Sequence, residues 1–219
     1  MSAGSYEIAG DAGRLRSLLA QARIVFDWNG TILDDLERTL EALNAVLVDF
    51  DREQLDDETF RRTFGLPLEA MLADLGLASD DIDPAVTAWY EGIEAREAPL
   101  SPGAAETIDA LWVRGTPAGI ISAASSASVE RDADRLGIRD KLDFLRPAAA
   151  SKEAALREVI VSDRPLIYVG DSEYDMTEAM AAGAIPVGYA GGYRPAEALL
   201  TAGAIAVVSD LRALLTEPM

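Results

Sequence analysis

Five side chains that could carry out chemistry stand beside the segments of the chain with the clearest secondary-structure patterns. Asp27, Ser122, Asp171 and Asp175 follow apolar segments of strand length, and Lys152 begins a helical segment. Three carboxylates brought to one point repel one another unless a hard cation lies between them, and oxygen-only ligands suit Mg²⁺. A hydroxyl and an ammonium beside that ion can hold an anionic group. These residue types therefore predict a pocket that holds phosphate against a carboxylate nucleophile, for phosphoryl transfer.

The elements that must position these side chains alternate along the chain. Short apolar segments predict buried parallel strands, and segments with apolar residues every three or four positions predict helices. The predicted strands are residues 23–28, 117–122, 143–146, 165–170, 185–189 and 204–208. The predicted helices are residues 15–22, 102–114, 125–136, 151–161, 174–182 and 195–202, with a terminal helix after the last strand. A Gly191-Gly192 turn lies between the strand at 185–189 and the helix at 195–202.

This alternation predicts an α/β fold, a doubly wound parallel sheet of Rossmann-like type with helices on both faces. In such sheets ligands bind beyond the carboxyl ends of the strands, where the five side chains are expected. Residues 36–98 differ, because they show helical periodicity around Leu36, Leu40, Leu43 and Leu47, around 60–75 and around 84–97, without a convincing strand. We therefore predict a core of residues 1–35 and 99–219 interrupted by a helical insertion.

The composition excludes several classes of enzyme. The chain has 219 residues, 49% of them hydrophobic, which is enough for a buried core. It contains no histidine and no cysteine. A Ser-His-Asp triad, a phosphohistidine, a His-ligated zinc site, a cysteine nucleophile and an iron–sulfur cluster are therefore excluded. Carboxylates and hydroxyls remain as the available nucleophiles.

The charge and the hydropathy limit the partners of the chain. The formal net charge of −19 would repel a phosphate backbone over most of the surface, so nucleic acid is not expected as a partner. No apolar run reaches the roughly 20 residues that a membrane span needs, and the acidic start lacks the features of a signal peptide. A cytoplasmic protein without a membrane partner is expected. The sequence leaves open whether it is a monomer or a homodimer.

Four segments carry a resemblance to one family. Residues 27–34, Asp-Trp-Asn-Gly-Thr-Ile-Leu-Asp, resemble the DxDGTLxD signature of the haloacid dehalogenase superfamily. Ile121-Ser122 resembles the second motif of that superfamily, Lys152 the third, and residues 170–175 the GDxxxD fourth motif. The order and spacing agree over nearly the whole chain. The resemblance implies a hydrolase of this superfamily that acts on a small phosphorylated metabolite.

The insertion resembles the helical cap that some members carry after the first strand. Residues 64–68, Phe-Gly-Leu-Pro-Leu, are similar to the cap loop of phosphoglycolate-phosphatase-like members. The resemblance implies that a cap of residues 36–98 closes over the substrate and excludes water. Arg62 beside this loop is a candidate for contact with the substrate.

By this likeness Asp27 would attack phosphorus and form an aspartyl-phosphate. The resemblance implies a Mg²⁺ ion held by Asp27, the backbone carbonyl of Asn29 and Asp171, with Asp175 orienting water around the ion. It further implies phosphoryl oxygens held by Ser122 and by the backbone amides of Trp28 and Ala123, and charge neutralisation by Lys152.

Asn29 departs from the pattern of the family. Family phosphatases place an aspartate there, which protonates the leaving group and later activates water. An amide cannot do this, although its backbone carbonyl can still bind a metal. General acid–base catalysis, which contributes about a 10²–10⁴-fold increase in rate, is therefore in question. The acid could instead be Asp34, Asp35, or a carboxylate or tyrosine of the cap. Alternatively, the leaving group could depart unaided.

Three alternatives to a phosphatase stay open at this stage. Dehalogenation or phosphonate cleavage would fit the missing acid at Asn29, although the Asp171–Asp175 pair argues against dehalogenation, which needs no metal. A phosphotransferase or mutase would keep the aspartyl-phosphate and exclude water. A degenerate member would bind a phosphorylated ligand without turnover, but retention of Asp27, Lys152 and the acidic pair argues against it.

Overall fold

The apolar segment that precedes Asp27 forms the strand that is fifth in the order of a seven-stranded sheet. The structure, a computed structural model, describes residues 6–65 and 67–215. The strands are β1 (Ile8–Gly10), β2 (Arg23–Phe26), β3 (Ala118–Ile121), β4 (Phe144–Arg146), β5 (Leu166–Gly170), β6 (Ile185–Tyr189) and β7 (Ala206–Val208). Their order across the sheet is β1-β7-β6-β5-β2-β3-β4. Because β2 pairs in parallel with β3 on one side and β5 on the other, the ends of all three strands lie at one edge.

The prediction of an α/β fold built on a parallel sheet is confirmed, with one exception at an edge. Strand β1 pairs antiparallel with β7, and the other five pairings are parallel. Strand β1 is absent from the strands predicted from the sequence. It has three residues, none fully buried, so it lacks the continuous apolar run that marks the inner strands.

Among the residues that the structure describes, six α-helices belong to the same unit as the sheet. They are α1 (Ala12–Leu19), α6 (Ala104–Arg114), α7 (Ser126–Arg135), α8 (Lys152–Val159), α9 (Glu173–Ala182) and α10 (Ala196–Thr201). Helices α8 and α9 pack against β2, β3 and β5 in one apolar cluster that includes Val25, Leu156, Tyr168 and Ala179. This packing sets the first turns of α8 and α9 beside the ends of those strands.

The ends of the chain differ from the prediction in two places. Helix α1 begins at Ala12 instead of Leu15, because the side chain of Asp11 accepts a hydrogen bond from the Arg14 amide and caps the helix. The predicted terminal helix is a 3₁₀ turn, Leu211–Leu214.

Residues 35–98 form a second compact unit, and residues 1–34 with 99–219 form the first. The helices of the second unit are α2 (Leu36–Asp49), α3 (Asp57–Thr63), α4 (Leu68–Asp74) and α5 (Ser79–Glu94). Helix α5 contains Pro84, which the sequence analysis placed near the start of a helical segment. The helix starts earlier because Asp80 and Asp81 lie in its first turn, where acidic side chains are favourable.

The segment between α3 and α4 holds the residues that resemble a cap loop. Phe64 ends α3 and Pro67 precedes α4, while Leu66 lies outside the described residues. Phe64 packs against Phe60 and Trp89, with ring centroids 4.9 and 6.4 Å away. Across the described residues, every helix is too short or too polar to cross a lipid bilayer.

Candidate active site

Asp27 lies directly beyond the carboxyl end of β2. Its amide donates to the Val169 carbonyl oxygen at 2.8 Å, which continues the β2–β5 ladder by one residue. The Asp27 side chain is buried, and its carboxylate accepts a hydrogen bond from the Trp28 amide. The strand therefore fixes the backbone of Asp27 and delivers its carboxylate to the edge of the sheet.

Asp171 lies beyond the end of the neighbouring strand β5, and both of its carboxylate oxygens are engaged. The Thr31 hydroxyl donates to Oδ1 at 3.1 Å, and the Tyr193 amide donates to Oδ2 at 2.8 Å. Asp171 is buried. Two donors from two different loops therefore hold this carboxylate in one orientation.

Asp175 lies in the first turn of α9 and takes part in a capping box. Ser172 donates to Asp175 Oδ2 from its amide at 3.1 Å and from its hydroxyl at 2.5 Å, while the Asp175 amide donates to Ser172 Oγ at 3.2 Å. The Tyr168 hydroxyl lies 3.3 Å from Asp175 Oδ1 and 3.2 Å from the Ile121 carbonyl oxygen, and these two acceptors share its single proton. Burial, with Asp27 and Asp175 nearby, raises the pKa of Tyr168 well above its ordinary value, so the hydroxyl keeps its proton.

Lys152 begins α8 and joins two of the carboxylates. Its Nζ lies 2.8 Å from Asp27 Oδ1 and 2.6 Å from Asp175 Oδ1. The same Nζ lies 5.9 Å from the ring centroid of Tyr168 and 5.7 Å from that of Tyr174. Burial alone would lower the pKa of Lys152, but Asp175 and Asp27 raise it above its ordinary value, so the ammonium carries a permanent charge.

Asp27, Asp171 and Asp175 form a cluster that could hold a metal ion. Each offers an oxygen, and these oxygens all lie within 4.8 Å of one another. Burial and the charge of Asp175 raise the pKa of Asp27 to about 7, against the opposing effect of Lys152. Burial, Asp175 and Asp27 raise the pKa of Asp171 well above its ordinary value. One ammonium does not offset three buried carboxylates, and oxygen donors of this kind fit a hard divalent cation such as Mg²⁺.

Asp175 and Asp171 differ in the number of hydrogen bonds that their carboxylates accept. Asp175 receives hydrogen bonds from Lys152, Tyr168 and both donor groups of Ser172. Asp171 is bound through one donor on each oxygen. Because a carboxylate has about four lone-pair sites, Asp171 keeps more acceptor capacity for a cation than Asp175 does.

Ser122 and Ala123 follow β3, the other neighbour of β2. The Ser122 side chain is buried, and its Oγ accepts a hydrogen bond from the Ala124 amide at 3.1 Å. The Ser122 and Ala124 carbonyl oxygens accept from the amides of Ala149 and Ala148 at 2.9 and 2.7 Å. The loop after β3 is thereby tied to the segment that leads into Lys152.

Trp28 and Asn29 lie in the turn after β2. The Trp28 carbonyl oxygen accepts from the Thr31, Ile32 and Leu33 amides at 2.9–3.3 Å, which closes a tight turn. The Trp28 side chain is fully buried, and Asn29 forms an isolated backbone bridge with Leu33. The turn keeps both residues next to Asp27.

The sequence-predicted residues therefore fall into three groups. Asp27, Lys152, Asp171 and Asp175 are brought together by direct contacts or short distances, and Ser122, Ala123, Trp28 and Asn29 lie on the adjoining loops. Arg62 lies on α3 of the second unit, where its side chain is 65% exposed and 3.9 Å from Glu58.

Sequence reasoning assigned no role to several residues that contact the cluster. These are Thr31, Tyr168, Ser172, Gly192 and Tyr193. Thr31 stands inside the quoted signature, and Ser172 occupies the position before the acidic first turn of α9, which is a helix-capping signal. Tyr193 contributes its backbone amide, which leaves no trace in residue type.

Comparisons with known proteins point to one family. The sequence profile of the family described as "Haloacid dehalogenase-like hydrolase" matches residues 24–188. A phosphoglycolate phosphatase of Rhodospirillum rubrum is 29% identical, with 87% of this chain and 88% of the relative covered. A phosphoglycolate phosphatase of Synechococcus elongatus is 24% identical, with 82% and 88% covered. A solved haloacid dehalogenase-like hydrolase from Streptococcus pneumoniae has a TM-score of 0.80 at 22% identity, covering 90% of this chain and 98% of that chain, and supports the fold.

Proposed function

Because the chain belongs to the haloacid dehalogenase-like hydrolase family and is a phosphatase of that family, we propose that it hydrolyses a small phosphomonoester with Mg²⁺, through an aspartyl-phosphate on Asp27. One observation carries the proposal. The buried Asp27 carboxylate lies 2.8 Å from the Lys152 ammonium, inside a cluster of three carboxylates suited to a cation. This is a carboxylate nucleophile in surroundings that can hold a phosphoryl group.

The residues around Asp27 have separate roles in this proposal. Asp27, Asp171 and the Asn29 backbone carbonyl would hold the ion, which supplies positive charge for the phosphoryl oxygens. Asp27 attacks phosphorus as the P–O ester bond breaks and the alcohol leaves, and water then cleaves the aspartyl-phosphate to release phosphate and free Asp27. Lys152 stabilises the charge that develops on the phosphoryl group. Ser122 and the amides of Trp28 and Ala123 donate to phosphoryl oxygens. Asp175, held by three donor contacts from Tyr168 and Ser172, positions the Lys152 ammonium.

The second unit acts as a cap in this proposal. Its residues would select the substrate and exclude water from Asp27, with Arg62 offering a cation to an anionic substrate. The relatives at 29% and 24% identity are both called phosphoglycolate phosphatases. Phosphoglycolate is therefore the first substrate to test.

Asn29 favours a second candidate function. An asparagine cannot protonate a leaving group or activate water, so hydrolysis of the aspartyl-phosphate would be slow unless another acid acts. A slow hydrolytic step suits a phosphotransferase or mutase, a phosphonate-cleaving enzyme, or a member that binds its ligand without turnover. The choice among these depends on whether water reaches the phosphorylated Asp27.

Phosphate release from phosphoglycolate and a panel of small phosphomonoesters, with Mg²⁺ and with EDTA, tests the proposal. Wild type should release phosphate only with Mg²⁺, and Asp27→Asn should release none because an amide is a poor nucleophile. Asn29→Asp should raise the rate by about 10²–10⁴ if the missing acid limits turnover.

Asp34→Asn and Asp35→Asn serve as matched variants, since either carboxylate could replace the missing acid. Loss of phosphate release in one of the two variants would identify that carboxylate as the acid that acts in place of Asn29. Absence of turnover in both wild type and Asn29→Asp would overturn the proposed hydrolysis through Asp27 and favour a transferase or a binding protein.

A further inference from the structure

The loop that follows β6, residues 191–194, lies against one of the carboxylates that would hold the ion. We propose that this loop, Gly191-Gly192-Tyr193-Arg194, is a positioning element that orients the Asp171 carboxylate for the divalent cation. The inference rests on the proposed metal-dependent function and adds to it a group of positioning residues outside the signature motifs. The sequence marks the loop only as a turn.

The direct contact is a backbone hydrogen bond. The Tyr193 amide donates to Asp171 Oδ2 at 2.8 Å, and the Thr31 hydroxyl donates to Oδ1 at 3.1 Å from the opposite loop. Hydrogen bonds to an ionised acceptor are stronger than neutral ones. Because each oxygen is restrained by a different loop, the plane of the carboxylate is set by the position of the Tyr193 amide.

Glycine at position 192 is what permits this approach. A Cβ atom at Gly192 would overlap Asp171 Oδ2 and the Gly30 carbonyl oxygen, and a Cβ atom at Gly30 would overlap the same Asp171 oxygen. Gly30 also has a φ of +72°, so two constraints act at that position. At Gly192 the constraint is space alone. Any side chain there must push the loop away from Asp171 or turn the carboxylate.

The loop is anchored on both sides of Gly192. Before it, the Ala190 amide donates to the Val208 carbonyl oxygen at 2.9 Å, and the Tyr189 side chain lies against Gly191. After it, Arg194 Nε lies 3.0 Å from Glu173 Oε2 on the first turn of α9. Tyr193 itself is buried. The loop is therefore held at its position independently of Asp171.

Such a loop affects the metal without contributing a ligand. Groups that orient the ligands of a metal site typically change metal affinity by about 10–100-fold when they are altered. If residues 191–194 act in this way, loosening the loop should weaken Mg²⁺ binding. The maximal rate at saturating Mg²⁺ should fall much less, because Asp27 and Lys152 are unchanged.

Calorimetric titration of EDTA-treated, full-length protein with MgCl₂ tests the inference directly. Gly192→Ala should raise the Kd for Mg²⁺ by about 10–100-fold. Arg194→Gln, which removes the ion pair to Glu173 without replacing any residue that contacts Asp171, should loosen the loop and raise the Kd by roughly 2–5-fold, the range of an ion pair that is partly exposed. Gly13→Ala in α1 is the matched glycine control, since its Cβ would meet only an ordinary contact, and its Kd should equal that of wild type.

A second measurement separates positioning from general damage. The Mg²⁺ concentration that gives half-maximal phosphate release should rise in Gly192→Ala and Arg194→Gln in step with the Kd, while kcat at saturating Mg²⁺ stays within a few-fold of wild type. Lower thermal stability with an unchanged Kd in both variants would overturn the inference. Arg194→Gln keeps the test valid if Gly192→Ala does not fold.

The outcomes for the inference and for the proposed function can be told apart. If wild type binds no Mg²⁺ in the calorimeter, both are overturned. If wild type binds Mg²⁺ and the two loop variants bind it equally well, only the loop inference is overturned. If the variants bind Mg²⁺ more weakly but wild type releases no phosphate, the loop inference stands and the phosphatase does not.

Discussion

At the scale of single residues, Lys152 is the group on which the balance of charge in the site depends. Its Nζ contacts Asp27 and Asp175 at 2.8 and 2.6 Å and lies near the rings of Tyr168 and Tyr174. The two buried carboxylates hold the ammonium and raise the pKa of Lys152 above its ordinary value, so the ammonium keeps its proton at neutral pH. It therefore already lies beside Asp27, where the proposed mechanism places the phosphoryl group.

We expect Lys152→Met to lower kcat by about 10²–10³, because a fixed charge that acts on the transition state is removed while the side-chain stem is kept. Lys141→Met is the matched control, since Lys141 is the other lysine of the chain and pairs with Asp109 away from the strand ends. Steady-state kinetics at saturating Mg²⁺ measures the effect. Retention of kcat in Lys152→Met within about threefold would show that the ammonium has no part in the chemical step.

Stability must be followed in parallel for the Lys152 variants. Removing one partner of a buried ion pair leaves uncompensated charge and typically costs about 3–5 kcal/mol. Thermal melting establishes that the kinetic measurement is made on folded protein. Lys152→Arg keeps the charge, and we expect it to recover part of the stability but little of kcat, because the guanidinium does not fit the space of an ammonium.

At the scale of secondary-structure elements, the start of α9 combines helix capping with the positioning of Asp175. Ser172 caps the helix through its hydroxyl, and Asp175 returns the contact to the Ser172 amide. The same Asp175 carboxylate contacts Lys152 through its other oxygen. The capping box therefore links the stability of the helix to the geometry of the site.

Ser172→Ala should lower the free energy of unfolding by about 1 kcal/mol through the lost cap, and should also lower kcat because Asp175 loses one of its restraints. Asp11→Ala removes the cap of α1, a helix that carries none of the site residues, and provides a control of similar cost. Urea denaturation and kinetics are measured on both variants. Equal stability loss with equal, unchanged kcat in the two variants would show that the capping box has no effect on the site.

The secondary-structure elements also show which parts of the fold can be predicted from the sequence. Strands β2, β3, β5 and β6 are fully or almost fully buried, so their apolar runs could be recognised without a structure. Strand β1 could not, because a three-residue edge strand is specified by its partner β7 and not by its own pattern. The break between α3 and α4 and the early start of α5 were likewise missed, since helical periodicity does not define boundaries closely.

The residues of the site can likewise be divided into those that could be proposed from the sequence and those that could not. Residues that act through their side chains at the ends of patterned elements, such as Asp27, Asp171 and Lys152, could be proposed from type and position. Gly192 and Tyr193 could not, because one acts through the absence of a side chain and the other through a backbone amide. Contacts of this kind depend on how distant loops meet, which only the folded chain determines.

At the scale of the whole molecule, the net charge of −19 and the three clustered carboxylates both bring negative charges together in the folded chain, and both therefore oppose folding. Buried carboxylates within 4.8 Å of one another oppose folding through desolvation and mutual repulsion. A cation that binds between them in the folded state, and finds no such cluster in the unfolded chain, must stabilise the fold. The unit that should respond is residues 1–34 and 99–219, which contains all three carboxylates.

We therefore expect Mg²⁺ to raise the melting temperature, with a stabilisation of about 2.7 kcal/mol when its concentration is 100 times the Kd. Scanning calorimetry of EDTA-treated protein with added MgCl₂ measures this, and NaCl at matched ionic strength controls for general screening of the acidic surface. Asp171→Asn should melt higher than wild type in EDTA, because one repelling charge is gone, and should lose the response to Mg²⁺. An equal shift with NaCl, or an equal response in Asp171→Asn, would assign the effect to the surface charge and leave the cluster without a cation-binding role.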